Sequence, residues 1–387
     1  MKPDTNYILF QILRSVFHNS QMSDADKELV TEEVLPELLK IAQKHDIAHL
    51  IALGLLNNKL VGEKIKTQIQ QYAVRAMYRY EKLNYELLRV CEALENAKIP
   101  YIPLKGSVLR NYYPEPWMRT SCDIDILVHK EDLGRAISYL TEELEYTKHK
   151  QNGHDVSLFS PNGVHIELHY DLVEDGLVKE ASEILADVWN ISTIKEEKEY
   201  HYEMSDEMFY FYHIAHMAKH FENGGCGIRP FIDVWILDRL DERNDEKRNN
   251  LLRKGDLLKF TEIARKVSRV WFENEPNDTL TDKVENYILS GGIYGTNENR
   301  ILVQQQKEGG SFNYALSKIF LPYDIIKFHY PILQKHRFLT PVMQVRRWFK
   351  LLFCGHVRRS INELSYNKNI SLEQANDMKS FLDEIGL

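Results

Sequence analysis

Cysteine is scarce in this chain. Four stand in 387 residues, at Cys91, Cys122, Cys226 and Cys354, and no two form a CxxC pair. That usage points to a reducing cytosol and away from structural zinc. Positive charge is not in excess either. Lys and Arg number 49 against 57 Asp and Glu, a net charge of -8, which argues against a general nucleic-acid binder. No apolar run is long enough to cross a bilayer. The opening MKPDTNYILFQILRSVF lacks a basic start followed by an unbroken apolar core, so no signal peptide is expected and a cytoplasmic location is. Internal repeats and low-complexity tracts are absent.

The composition is otherwise ordinary for a soluble globular protein. Apolar residues make up 43% and charged residues 27%, and the length allows two or three domains with a sizeable core. Residues 1–95 read as helical. Leu29, Val34, Leu38, Leu39 and Ile41 recur at helical spacing, 47–56 continues the pattern, and 68–96 is a long helix ending before Pro100. Ser23 or Asp24 can cap a helix start. This helical region is expected to buttress the segment C-terminal to it. His45 and His49, four residues apart, are read as core or surface histidines ahead of metal ligands.

The informative stretch is 99–128, IPYIPLKGSVLRNYYPEPWMRTSCDIDILV. It predicts a strand over 99–104, a break at Lys105-Gly106-Ser107, a helix over 107–113 stopped by Pro114 and Pro116, and a strand over 123–128. A strand has period two, so Ile124, Ile126 and Val128 share one face and Asp123 and Asp125 the other. Two carboxylates held that close repel, and desolvation adds to the cost. A divalent cation relieves both. Free amides at a Gly-Ser helix start suit phosphate, and Mg²⁺ takes oxygen ligands it can share with phosphates.

Further on, 130–144 predicts an amphipathic helix and 156–159 with 164–172 a hairpin about Pro161-Asn162-Gly163. Val164, Ile166, Leu168 and Tyr170 alternate with His165, Glu167, His169 and Asp171. Glu167 thus falls on a polar face between two histidines. On its own that face also suits a solvated edge strand. A short helix over 181–193 leads to a charged segment at 195–202. The expected organisation is therefore three regions, 1–95, 96–200 and 201–387. In 206–221, DEMFYFYHIAHMAKHF, His213, His216 and His220 fall within about 60° on a helical wheel. Gly224-Gly225 stops that helix, Pro230 opens the next, and Asp233 comes in its first turn. Three readings of the stripe stand open: structural histidines bonded across helices, a wall that binds substrate or triphosphate, or a transition-metal site. The remainder predicts helices interrupted at 274–277, 291–295 and 309–310. Between 325 and 360 stand eight Lys or Arg and no Asp or Glu, with Trp348, Phe349, Leu351, Leu352 and Phe353 among them. A solvated face, a surface for a partner or polyanion, and attachment to anionic lipid all fit.

Lys105-Gly106-Ser107, Arg119 and Asp123-Ile124-Asp125 in that order resemble the nucleotidyltransferase superfamily related to DNA polymerase β. More narrowly, LKGSVLRNYYPEPWMRTSCDIDILV is similar to a bacterial nucleotidyltransferase family labelled NTP_transf_5. HIELHYDL, LSGGIYG and the Lys219, His220, Gly224-Gly225, Arg229, Asp233 series also resemble that family, so the likeness runs from about His45 to Arg347. The resemblance implies an α+β fold, a nucleotidyltransferase-type mixed β-sheet core between N-terminal and C-terminal helical regions. It implies transfer of an NMP group from an NTP, ATP foremost, to an acceptor hydroxyl with release of pyrophosphate. Asp123, Asp125 and Glu167 would hold Mg²⁺ or Mn²⁺. Lys105, Gly106, Ser107 and Arg119 would bind phosphates. His213, His216, Lys219, His220, Arg229 and Asp233 would form a substrate or phosphate wall facing the carboxylates. Two other classes stay open: a catalytically inactive nucleotide-binding or regulatory module on the same fold, and an interaction protein working through its basic C-terminal surface.

Overall fold

The computed structural model describes residues 4–174, 177–293, 295–353 and 372–387. Five helices come first: α1 Thr5–Phe17, α2 Asp24–Glu28, α3 Leu35–Lys44, α4 Ala48–Asn57 and the long α5 Glu63–Asn96. Ser23 caps α2, its side chain accepting from the Asp26 amide. His45 closes α3 and His49 sits in α4. Asp46, at φ +52°, turns the chain between them, so the two buried histidines belong to different helices.

The next segment builds the sheet. It runs β1 Tyr101–Pro103, α6 Gly106–Leu109, β2 Asp123–Val128, α7 Leu133–Glu143, β3 Thr147–Gln151, β4 Asp155–Phe159 and β5 His165–His169. The helix expected over 107–113 is one α-turn continued by a 3-10 turn, Arg110–Tyr112. Strand β3 was not expected. Its sequence, TKHKQ, has no apolar alternation, and all five residues are exposed at the sheet edge. The strand order is β1-β2-β5-β4-β3, with β2 and β5 parallel and every other pair antiparallel.

Period two gives this sheet one apolar and one chemical face. Ile124, Ile126, Val156, Leu158, Ile166 and Leu168 pack with Leu87, Val90 and Leu94 of α5 and with Ala136 and Leu140 of α7. The opposite face carries the aspartates of β2 and the alternate residues of β5. Truncating a fully buried residue such as Ile166 to alanine typically costs about 2–5 kcal/mol.

The chain then forms α8 Lys179–Leu185, α9 Val188–Ile191 and a hairpin of β6 Ser192–Ile194 with β7 Tyr202–Met204. The charged segment at 195–202 is the turn of that hairpin. It docks on β1, where the Tyr101 amide donates to the Tyr200 carbonyl at 2.9 Å. Among the described residues the α-helices that follow are α10 Asp206–Glu222, α11 Arg229–Leu237, α12 Asp245–Lys254, α13 Leu258–Glu273, α14 Thr279–Ser290, α15 Asn297–Lys307, α16 Ser311–Ile319, α17 Tyr323–His329, α18 Ile332–Lys335, α19 Thr340–Phe353 and α20 Leu372–Ile385. One buried cluster joins α1, α3 and α4 to α10, α11 and α13 through residues such as Leu9, Leu38, Ile51, Phe211, Ile232 and Val267. The N-terminal and later helices therefore share a core that covers the chemical face of the sheet.

Helix α10 begins at Ser205, whose hydroxyl accepts from the Met208 amide, with Asp206 and Glu207 in the first turn and Lys219 and His220 in the last. It stops at Gly224 and Gly225, at φ +113° and +120°. A side chain at Gly225 would sit 3.1 Å from the Gly295 Cα, because Gly295 and Thr296 pack directly onto this turn. Tyr294 of that LSGGIYG loop lies outside the described residues, as does the end of the basic stretch, 354–360. Within the described part of that stretch, Phe338, Val342, Val345 and Phe349 are exposed. Among the described residues, no helix is long and apolar enough to cross a membrane.

Candidate active site

The register of β2 against β5 sets the centre of the site. Asp123 pairs with His165, Asp125 with Glu167 and Leu127 with His169. Alternate residues of adjacent strands point the same way, so two aspartates stand beside a His-Glu-His column. The ligand atoms of Asp123, His165 and Glu167 lie within 4.8 Å of one another, and so do those of Asp125, Glu167 and His169. Glu167 belongs to both groups. Carboxylates and imidazoles at this spacing are a donor set suited to a divalent cation.

Lys105 stands against this set. Its ammonium is 3.0 Å from Asp125 Oδ1, and the His169 Nε2 is 2.9 Å from the same oxygen. Burial works against the Asp125 charge, but Lys105 and His169 together hold this carboxyl well below the usual carboxylate range. Asp123 is pushed upward by burial and by the Asp125 and Glu167 charges. The pair is thus unequal: Asp125 has the Lys105 ammonium and the His169 Nε2 in contact, and Asp123 is dominated by repulsion. Lys105 reaches its position from φ +43°, ψ -120°, a conformation that strains a residue with a side chain by on the order of 1–3 kcal/mol. The next residue is Gly106 because space is short there. A Cβ on it would meet the Ser121 Cβ at 3.1 Å.

Across from the strands, α10 and the start of α11 form the other wall of a cavity of about 320 Å³. Asp123, Asp125, Glu167, Lys105, Gly106 and Arg119 line it on one side, and His213, His216, Lys219, His220 and Arg229 on the other. Ser107 and Asp233 do not line it. Ser107 is buried, and its amide already donates to the Leu104 carbonyl at 3.1 Å, which leaves Gly106 alone of the Gly-Ser pair on the wall. Asp233 is fully buried and braces Arg119, accepting from its Nε and Nη2 at 2.8 and 2.9 Å and from the Tyr113 hydroxyl at 2.6 Å. It is an anchor behind the wall.

The wall is less cationic than its sequence suggests. Burial, with Lys105 and His220 nearby, holds His216 well below the ordinary imidazole range. Burial and Lys219 bring His220 down to about 4, and burial also lowers His213. These rings are neutral near pH 7. His216 and His220 face each other Nε2 to Nε2 at 2.9 Å, one donating and one accepting. The positive charge comes from Lys219, which contacts Glu174, and from Arg229, whose Nη1 donates to Asp46 at 3.1 Å and to the Thr120 carbonyl at 2.6 Å.

Sequence reasoning did not single out His154, Glu174 or Tyr212, which also line the cavity. Glu174 stands in the loop after β5 and His154 in the turn before β4, where no periodicity marks a direction. The roles of His165 and His169 were within reach, since alternation already placed them beside Glu167.

Residues 32–273 match the model of NTP_transf_5, described as uncharacterised nucleotidyltransferase. No curated protein and no solved structure matches the chain. The matched span is more than half of the chain and holds every residue of the cavity wall except Ile293. The α+β architecture, with its five-stranded mixed sheet between helical regions, is consistent with that family's type of fold. With a match of that extent centred on the cavity, the chain belongs to the NTP_transf_5 family of nucleotidyltransferases.

Proposed function

We propose that this chain moves a nucleotidyl group from an NTP, ATP foremost, to an acceptor hydroxyl and releases pyrophosphate. The observation that carries the reading is the parallel β2–β5 register, which brings Asp123 with His165 and Asp125 with His169 into two donor groups that share Glu167. Asp123, Asp125 and Glu167 would hold two divalent cations, Mg²⁺ or Mn²⁺, which neutralise triphosphate charge and make the acceptor hydroxyl easier to deprotonate. Lys105 and Gly106 border the same space and would meet the phosphates. The acceptor oxygen forms its bond to the α-phosphorus as the bond to the bridging oxygen of pyrophosphate breaks. Charge building on that leaving group would be met by Lys105 and by Arg229. Asp233 and Tyr113 keep Arg119 in place beside the reacting atoms. The neutral His213, His216 and His220 offer hydrogen bonds to the acceptor or take up its proton.

The test uses NTPs labelled at the α-phosphate, Mn²⁺ or Mg²⁺, and fractionated cell extract as the source of acceptor. Label transferred to an acceptor by the wild-type chain, and lost in Asp123→Asn and Asp125→Asn, supports the reading. Equal binding of Mn·ATP by the double Asn variant and wild type would place any nucleotide site elsewhere.

A further inference from the structure

Next to the groups that share Glu167 lies a third donor set. His154, His169 and Glu174 bring ligand atoms within 4.8 Å of one another. The His154 Nε2 is 3.6 Å from Glu174 Oε2, and the rings of His154 and His169 stack with centroids 5.9 Å apart. An independent observation concerns His169. It is almost wholly buried, its Nε2 sits on Asp125, and its Nδ1 is buried with no hydrogen-bond partner among the described residues. An Nε2–H donating to the Asp125 carboxylate leaves Nδ1 with its lone pair. A buried acceptor with no donor costs on the order of 1–3 kcal/mol. A metal ion on that nitrogen removes the cost, and metal-bound imidazoles commonly donate their other N–H to a carboxylate in this way. The Lys219 ammonium rests on Glu174, so a positive charge already stands against this set.

We propose that His154, His169 through Nδ1, and Glu174 form a site for one divalent transition-type cation of the zinc class, separate from the nucleotide-linked cations. Two imidazoles and one carboxylate select such an ion over Mg²⁺, which favours oxygen alone. The scarcity of cysteine speaks against a thiolate zinc module, but these donors need no thiolate. As the cation binds, Lys219 leaves Glu174, and His154 gives up its 3.0 Å contact with Asp155. The cation then fixes the ring of His169 against Asp125, so it is a positioning element beside the carboxylates. The site stands on its own donors, whether or not the chain transfers nucleotides.

The experiment strips the full-length chain with a chelator, titrates it with Co²⁺, follows the visible d–d absorption, and displaces the ion with Zn²⁺. Wild type and Asp123→Asn should each bind one Co²⁺ with a nitrogen-ligand band. Glu174→Gln and His154→Gln should weaken that binding at least about tenfold. Both should keep Mn·ATP binding within a few-fold, which also shows that they fold. His154 is partly exposed, so His154→Gln is the milder variant. The proposal is overturned if wild type shows no such band at millimolar Co²⁺. It is equally overturned if the band survives in both Glu174→Gln and His154→Gln, or if it is lost in Asp123→Asn while the other two keep it.

Discussion

The two walls of the cavity are built on opposite electrostatic plans. On the strand wall, Asp123, Asp125 and Glu167 crowd together, with Lys105 and His169 against Asp125 and the His169 Nε2 also 3.6 Å from Glu167 Oε2. On the helix wall each cation already has an anion, Arg229 on Asp46 and Lys219 on Glu174, and Asp233 of α11 braces Arg119 from the facing side. The strand wall is under electrostatic tension that a cation would relieve. The helix wall is braced, and its charges hold the fold while they face the cavity. Substitutions on the two walls should therefore have opposite effects on stability.

The largest effect is expected on the strands. Asp125→Asn should lower nucleotidyl transfer by at least about 1000-fold, roughly 4 kcal/mol in transition-state stabilisation. Asp123→Asn should abolish transfer as well, yet raise the melting temperature of the metal-free chain at neutral pH. The sign comes from the upward push on Asp123. A carboxyl raised in the folded state contributes stability at low pH that is lost as pH rises through its folded value. Asparagine never takes on that charge. A melting temperature below wild type, measured without metal at pH 7, would contradict the tension on this wall.

Next in size is the brace. Asp233→Ala leaves the Arg119 guanidinium and the Tyr113 hydroxyl buried without their acceptor. Removing one partner of a buried pair costs about 3–5 kcal/mol. Urea unfolding should show that loss, with Asp233→Asn recovering part of it. An alanine variant as stable as wild type would mean the helix wall is not braced.

The same contrast explains what could be read without the structure. The strand wall is local: Asp123, Asp125 and Glu167 come from period two within two short apolar strands. Their meeting still required β5 to lie parallel to β2 in one register, which no spacing encodes. The helix wall is tertiary. The wheel placed His213, His216 and His220 on one face, but their neutrality depends on burial by elements far away in sequence. That Asp233 would anchor Arg119, 114 residues earlier, left no local mark. Strand β3 was missed because an exposed edge needs no apolar pattern. The 107–113 helix was overestimated because Arg110 turns inward, donating to the Gly106 carbonyl and to Ser121, which tightens the second turn.

A smaller effect tests the shared helical core behind the walls. His45 is fully buried, and neither ring nitrogen has a hydrogen-bond partner among the described residues. Burial, Lys44 and Arg229 lower it from 6.5 to about 4. A histidine lowered in the folded state binds fewer protons there than in the unfolded chain between those values. Its contribution is complete above about 6.5 and is lost as pH falls toward 4, by at most about 3 kcal/mol. His45→Leu should flatten the acid limb of the stability–pH curve over that window. A limb as steep as in wild type would assign the acid sensitivity to other groups, His49 first.

The smallest effect discriminates most finely between bracing and substrate contact, and it lies at Arg229. Its Nη1 holds Asp46 and Thr120, so a loss of activity in Arg229→Ala could come from a loosened fold. The surroundings remove that ambiguity. Asp46 is also bound by Arg79 at 3.3 Å and by the Thr120 hydroxyl at 2.8 Å. The Thr120 carbonyl also accepts from Arg119 Nη1 at 2.6 Å. Truncating Arg229 therefore orphans no buried group, and the stability change should stay near 1 kcal/mol, roughly the net value of a single hydrogen bond. Transfer should nevertheless fall about tenfold in kcat/KM, roughly 1.4 kcal/mol, because the wall loses a charge that faces the cavity. Arg229→Lys should restore part of the rate but less of the stability, since a lysine supplies charge without the planar fork. An alanine variant with wild-type kcat/KM and a large drop in unfolding free energy would make Arg229 one more brace and leave Lys105 and Lys219 to meet the triphosphate.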